Sequence, residues 1–239
     1  MLKLLLFDID GTLIHTGGAG TRGMTRAFES VFQVPNAFEG ILMPGRTDPR
    51  ILADTLARRG INANAATIQR FRERYQLDLV EELRQSSPRR ALVMPGVREL
   101  LDALRPRPDV FLALLTGNYS EAARVKLDHF GLWEYFRCGA FGEDAHERSD
   151  LVAVAVERAR SAGWRGVAPG DVLVVGDTPL DVACALTAGV RPIAVATGGY
   201  AAGVLQASGA EAVFEDLSDT RTFLRLVEEG AAAGSRAGE

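Results

Sequence analysis

The chain has 239 residues, of which 47% are hydrophobic and 24% charged, and its formal net charge is −4. That size suits one large globular domain, or one domain with an insert, and the negative balance offers no basic surface for nucleic acid. No apolar run reaches the roughly 18 residues of a membrane-spanning helix, and an opening stretch that meets Asp8 and Asp10 is too short and too acidic for a signal peptide. Cys138 and Cys184 lie far apart in apolar contexts without CxxC spacing, so buried free thiols and a reducing cytoplasm are expected.

Residues 2–7 form an apolar run broken only by Lys3, the pattern of a buried parallel strand. Asp8 and Asp10 follow, and residues two apart on a strand point the same way. Both carboxylates are therefore expected to face one pocket, where a hard divalent cation would relieve their repulsion. Gly11 lets the chain turn away. Thr16-Gly17-Gly18-Ala19-Gly20 lacks Walker spacing and reads as a hinge rather than a phosphate loop. Helices are predicted at about 21–34 (ended by Pro35), 48–59 and 64–84, with no clear strand between 16 and 90. The turn Gly45-Arg46-Thr47-Asp48 has two readings: a loop that holds one end of a ligand, or a plain helix cap.

After Pro95-Gly96 the pattern alternates between strand and helix. A helix at 97–104 precedes strands at 110–115, about 136–141, 172–176, 191–196 and 212–214. Such alternation predicts an α/β fold, a Rossmann-like parallel sheet with helices on both faces. The helical block interrupts it once, so it reads as an inserted all-helical cap domain. The expected division is a core of residues 1–15 and 91–229, a cap of 16–90, and a disordered tail of 230–239. Two further strand ends carry chemistry. Thr116-Gly117-Asn118 opens a helix, where a hydroxyl and free N–H groups make an anion site. Gly176-Asp177-Thr178-Pro179-Leu180-Asp181 adds two acids at another strand end, the edge where open parallel sheets place ligands.

Asp8-Ile9-Asp10-Gly11-Thr12-Leu13, Thr116-Gly117-Asn118 and Gly176-Asp-x-x-x-Asp181 together resemble the motifs of the haloacid dehalogenase-like superfamily, nearest its phosphoglycolate phosphatase-like branch with a helical cap. The resemblance implies Asp8 as a nucleophile that becomes phosphorylated. It implies Asp10 as general acid/base, with its backbone carbonyl on Mg²⁺. Thr116 would hold the transferring phosphoryl group, with Gly11, Thr12, Gly117 and Asn118 around it. Asp177 would bind Mg²⁺ directly and Asp181 would support the metal shell. The superfamily's third motif, usually Lys, departs here. No Lys follows Lys126, and Arg148, just before a helix starting near Ser149, is the best match. Arg46 of the 45–48 turn is a candidate for the substrate's other end.

Glu143 and Asp144 follow a strand and have two readings, members of the acidic site or surface acids, the second slightly favoured. His15 beside the hinge and His146 beside Arg148 are possible cleft residues, while His129 suits a helix C-terminus. The expected activity is Mg²⁺-dependent hydrolysis of a small phosphorylated metabolite by a cytoplasmic monomer or homodimer. A phosphosugar mutase with the same acids is the alternative, and a non-catalytic binding protein on this fold is less favoured. A phosphonatase is disfavoured because the block 16–90 contains no Lys.

Overall fold

The structure, a computed structural model, describes residues 2–87, 89–166 and 168–229. The tail expected at 230–239 lies outside the described residues. Six parallel strands form the main sheet: β1 (Lys3–Phe7), β4 (Val110–Leu115), β5 (Gly139–Ala140), β6 (Val172–Gly176), β7 (Arg191–Val195) and β8 (Ala212–Phe214), in the order β5-β4-β1-β6-β7-β8. All five residues of β1 are buried, because it lies between β4 and β6 with helices on both faces. Leu5 sits beside Leu112 on one side and Leu173 on the other.

Side chains alternate across the sheet. Leu5, Phe7 and Leu114 pack with Leu100 of α4 (Val97–Leu104), Leu127 of α5 (Ser120–His129) and Phe223 of α9 (Thr220–Glu228). Leu4, Leu6 and Ala113 pack on the opposite face with Leu151 of α6 (Asp150–Ser161) and Ala185 of α7 (Pro179–Thr187). A short helix, α8 (Ala202–Ala207), follows β7. From β1 the chain crosses to β4 and β5 on one side, then returns to β6 on the other. The ends of β1, β4 and β6 therefore open into one crevice.

Between β1 and α4 stand three helices with a core of their own: α1 (Ala19–Phe32), α2 (Asp48–Arg58) and α3 (Ala65–Gln85). Met24, Phe28, Ile51, Leu52, Phe71 and Tyr75 fill that core. Among the described residues the segment 16–90 is built from these helices, and a short antiparallel ribbon flanks it, β2 (Ile14–Thr16) against β3 (Ala91–Val93). Three-residue strands are too short to show a period-two pattern. The strand expected at 136–141 shrinks to Gly139–Ala140, since Trp133–Tyr135 form a 3₁₀ turn just before it. Among the described residues, no helix is long and apolar enough to cross a membrane.

Candidate active site

Asp8 leaves β1 with its backbone N–H donating to the Val175 carbonyl (2.9 Å), so the first acid is fixed by the sheet itself. It is 6% exposed. Carboxylate oxygens of Asp8, Asp177 and Asp181 all lie within 4.8 Å of one another. Burial pushes Asp8 up to about 7 against the pull of Arg148, and pushes Asp177 up to about 8, with the Asp8 charge adding to it. Three buried carboxylates this close require positive charge, and their hard oxygen donors match a small divalent cation. The cradle is tight: a Cβ on Gly11 or Gly198 would approach Asp177 Oδ2 to 2.4 or 1.8 Å. Gly11 also has φ +87°, which side-chain-bearing residues resist. Thr12 is fully buried and donates to Asp177 Oδ1 (3.0 Å), so its hydroxyl orients an acid rather than a ligand.

Arg148 precedes α6 and reaches into this cluster. Its guanidinium lies 3.3 Å from Asp8 and pairs with Asp181. Burial alone would lower its pKa, but Asp181 and Asp8 outweigh that and hold it above the ordinary value. Its other nitrogen donates to the Gly45 carbonyl (3.1 Å) in the loop before α2. Asp181 is held by the start of its own helix: Oδ2 accepts from the Thr178 N–H (3.0 Å) and hydroxyl (2.7 Å) in a capping box.

Asp10 behaves differently. Its side chain is 42% exposed and turns to Lys126 Nζ (2.6 Å) and Asn118 Nδ2 (2.8 Å). The acids expected to converge thus divide into a buried triad and one separate carboxylate. Thr116 is fully buried and accepts from the Asn118 amide (2.8 Å) and backbone N–H (3.3 Å). Both are accepted contacts, so its own hydroxyl hydrogen is free to donate elsewhere. Gly117 and Asn118 line the cavity.

Sequence reasoning missed two residues. Lys126 is only 4% exposed and also donates to Asn118 Oδ1 (2.5 Å). It lies ahead of the stretch where the third motif is expected. The available signal was a lysine on the buried face of α5, one turn beyond Ala122 and Ala123. Asp48, at the start of α2, is 7% exposed and accepts from the Tyr119 N–H (2.9 Å), while its own N–H donates to the Gly117 carbonyl (2.7 Å). Burial raises it to about 7, opposed by Lys126. The 45–48 turn fits its helix-cap reading, since Thr47 caps α2, and the loop also lies against Gly117.

Arg46 lines the cavity, yet its guanidinium is held by Asp54 and by the Leu42 carbonyl (3.1 Å). Glu143 and Asp144 stay out of the acid cluster, as expected, though both are half-buried rather than on the open surface. Glu143 accepts from Ser120 at the start of α5 and pairs with Arg72 of α3 (3.0 Å), which also pairs with Glu121 (2.8 Å) and covers the Tyr119 ring. Asp144 pairs with Arg158. His15 lines the cavity, and His146 is an exposed neighbour of Glu147 outside it. Cys138 and Cys184 are free thiols, the first half-buried and the second buried. The cavity, about 640 Å³ and open at one side, runs from the acid triad to the helical block.

The family description haloacid dehalogenase-like hydrolase matches residues 2–189. A phosphoglycolate phosphatase of Rhodospirillum rubrum is 29% identical, over 96% of this chain and 94% of that protein. The probable phosphatase IndB of Dickeya dadantii is 27% identical, over 92% of each. Among solved structures, a hydrolase from Pseudomonas syringae aligns over 93% of this chain and 98% of its own, at TM-score 0.69 and 22% identity. CbbY from Rhodobacter sphaeroides, in complex with phosphate, aligns over 92% and 96% at TM-score 0.67 and 18% identity.

Proposed function

The chain belongs to the haloacid dehalogenase-like hydrolase family, and from that premise we propose that it is a magnesium-dependent phosphatase acting on a small phosphorylated metabolite in the cytoplasm. The observation that carries this reading is the approach of the Arg148 guanidinium to Asp8, 3.3 Å away, inside a triad of buried carboxylates. Curated relatives named as phosphatases support it. The helical block 16–90 acts as a cap over the crevice, and the ribbon β2–β3 is where it joins the core.

Asp8 attacks phosphorus in line, forming a carboxylate–phosphorus bond as the bond to the substrate alcohol breaks. Asp10 gives its proton to the leaving oxygen. It then takes a proton from water as that water attacks phosphorus, releasing Asp8 and inorganic phosphate. Lys126 and Asn118 hold the Asp10 carboxylate between the two steps. Arg148, the Thr116 hydroxyl and the Gly117 N–H face the phosphoryl oxygens. Asp8, Asp177 and the Asp10 main-chain carbonyl would hold magnesium, with Asp181 supporting the shell. Bound there, the ion supplies positive charge for the phosphoryl oxygens and for the crowded acids.

Phosphate release from a panel of phosphomonoesters, with Mg²⁺ and with a chelator, tests the reading. Peptide mass spectrometry of the quenched reaction should find the phosphoryl group on Asp8. Isomer formation from sugar phosphates without phosphate release would support the mutase alternative. Turnover that survives full chelation would remove the metal from the account.

A further inference from the structure

We infer that the substrate is a phosphate monoester of an uncharged alcohol with an apolar body, and not a small doubly anionic ester such as phosphoglycolate. This rests on the phosphatase reading and names the substrate class for the same site. Two independent features of the cavity support it.

The first is its cap-side wall. Ile41, Leu42 and Met43 of the loop after α1 form its accessible part, backed by Met24 of α1, Ile51 of α2 and Tyr75 of α3, which are themselves buried in the core of the helical block. Leu42 lines it while remaining 65% exposed, which carries apolar surface out to the mouth. The hydroxyls on this side, Thr21 and Tyr75, are neutral groups suited to substrate hydroxyl or ether oxygens. The space of about 640 Å³, which takes in the reacting end as well as this wall, falls in the range of about 300–1,000 Å³ that holds drug-sized ligands.

The second is the charge balance. Among the described lining residues the lysine and arginines are Arg46, Lys126 and Arg148, and each already faces an acid. Arg46 pairs with Asp54, Lys126 with Asp10 at 2.6 Å, and Arg148 with Asp181 and Asp8. A carboxylate or second phosphate on the substrate would have to share Lys126 with Asp10, draw Arg46 off Asp54, or rest on the exposed imidazole of His15, whose Nδ1 already meets the Arg90 carbonyl. Otherwise it would lie dehydrated against the apolar wall, which is costly for an unpaired charge. An apolar leaving group meets none of these penalties and gains the wall contacts.

The test compares kcat/KM for benzyl phosphate and 2-phosphoglycolate at saturating Mg²⁺, with p-nitrophenyl phosphate as a reporter of phosphatase activity itself. Benzyl phosphate should lead by about tenfold or more, the scale of a few apolar contacts in a pocket. Met43→Lys places an ammonium on the wall and should move the ratio toward phosphoglycolate by about tenfold. If a thermal melt shows that this variant does not fold, Leu42→Lys at the exposed mouth serves the same purpose. A phosphoglycolate rate equal to or above that of benzyl phosphate overturns the inference and leaves the phosphatase reading standing. A ratio unmoved in the folded variant also overturns it, because the wall then plays no part in selection. No phosphate release from any ester overturns both.

Discussion

The two walls of the cavity are made of opposite materials. The core wall sets Asp8 and Asp177 at the ends of two adjoining strands, with Arg148 against them and Asp181 behind. The cap wall is Met24, Ile51, Tyr75 and the 41–43 loop. Strand ends fix charged groups through the sheet's own hydrogen bonds, which suits groups that must be placed accurately for chemistry. Helix faces and a loop hold apolar side chains that can be changed without disturbing those acids. A change on the core wall should therefore remove rate, and a change on the cap wall should redirect preference.

The largest effect should come from the centre of the core wall. Asp8→Asn should lower phosphate release by on the order of 10⁴-fold or more, the scale of losing a nucleophile. The amide is nearly isosteric, and removing one of three crowded carboxylates should leave the melting temperature unchanged or higher. Substantial turnover by a preparation verified free of wild type would move the nucleophile elsewhere. Chelation should act almost as strongly. Mg²⁺ should restore activity and Ca²⁺ should inhibit, because Ca²⁺ accepts more ligands in looser geometry and can engage both oxygens of Asp8. Equal turnover with either ion would sink this part of the comparison.

Arg148→Ala should reduce kcat/KM by on the order of 100-fold. Arg148→Lys should recover part of the loss, whereas Arg148→Met should not, since charge is the shared requirement and the fork geometry is not. Near-normal kinetics in Arg148→Ala would return the third-motif role to another residue. Lys126→Met should cost less, about tenfold in kcat with little change in KM, because Lys126 acts through Asp10 rather than on the phosphoryl group. Its distinctive mark is a displaced pH profile. A lower kcat with an unchanged profile would leave Lys126 as packing alone.

The core wall was far easier to read in the sequence than the cap wall, for a physical reason. Buried parallel strands appear as continuous apolar runs, and the acids that end them follow at once, so Asp8, Asp177 and Thr116 could be placed from the chain alone. Arg148 was located by its position before a helix and stands beside Asp8. Lys126 was not found because its partner Asp10 is 116 residues away, and a helix period shows burial without showing what is buried against it. The direction of the Arg46 side chain was likewise invisible: Asp54, nearly two turns into α2, draws it off. The cap wall is assembled from four segments whose apolar residues look like ordinary helix core. Nothing local marks Met24 or Tyr75 as lying beside a cavity. The three-residue ribbon β2–β3 carried too few residues for any pattern.

Asp48 offers the finest test, since it is a cap residue that behaves like part of the core wall. It lies 7% exposed, accepts from the Tyr119 N–H and is pushed up to about 7, chiefly by burial. Lys126 opposes that shift, while Asp10 and Glu143 add to it. The ordinary value is 3.8. Between the two values the folded chain keeps a proton that the unfolded chain has released. Its contribution to stability is therefore complete below the ordinary value and is lost as the pH rises through about 7. Asp48→Asn cannot ionise but keeps an oxygen for the Tyr119 N–H. The variant should gain on the wild type as the pH rises from acid to mildly alkaline, by on the order of a few degrees in melting temperature. Melting both proteins in Mg²⁺ across that range checks this. Because the Asp48 carboxylate contacts the docking backbone and not the reacting groups, kcat should change little. A melting difference that stays constant with pH, or that narrows toward alkaline pH, would show that Asp48 is ionised throughout and that the cap is held to the core by a buried charge.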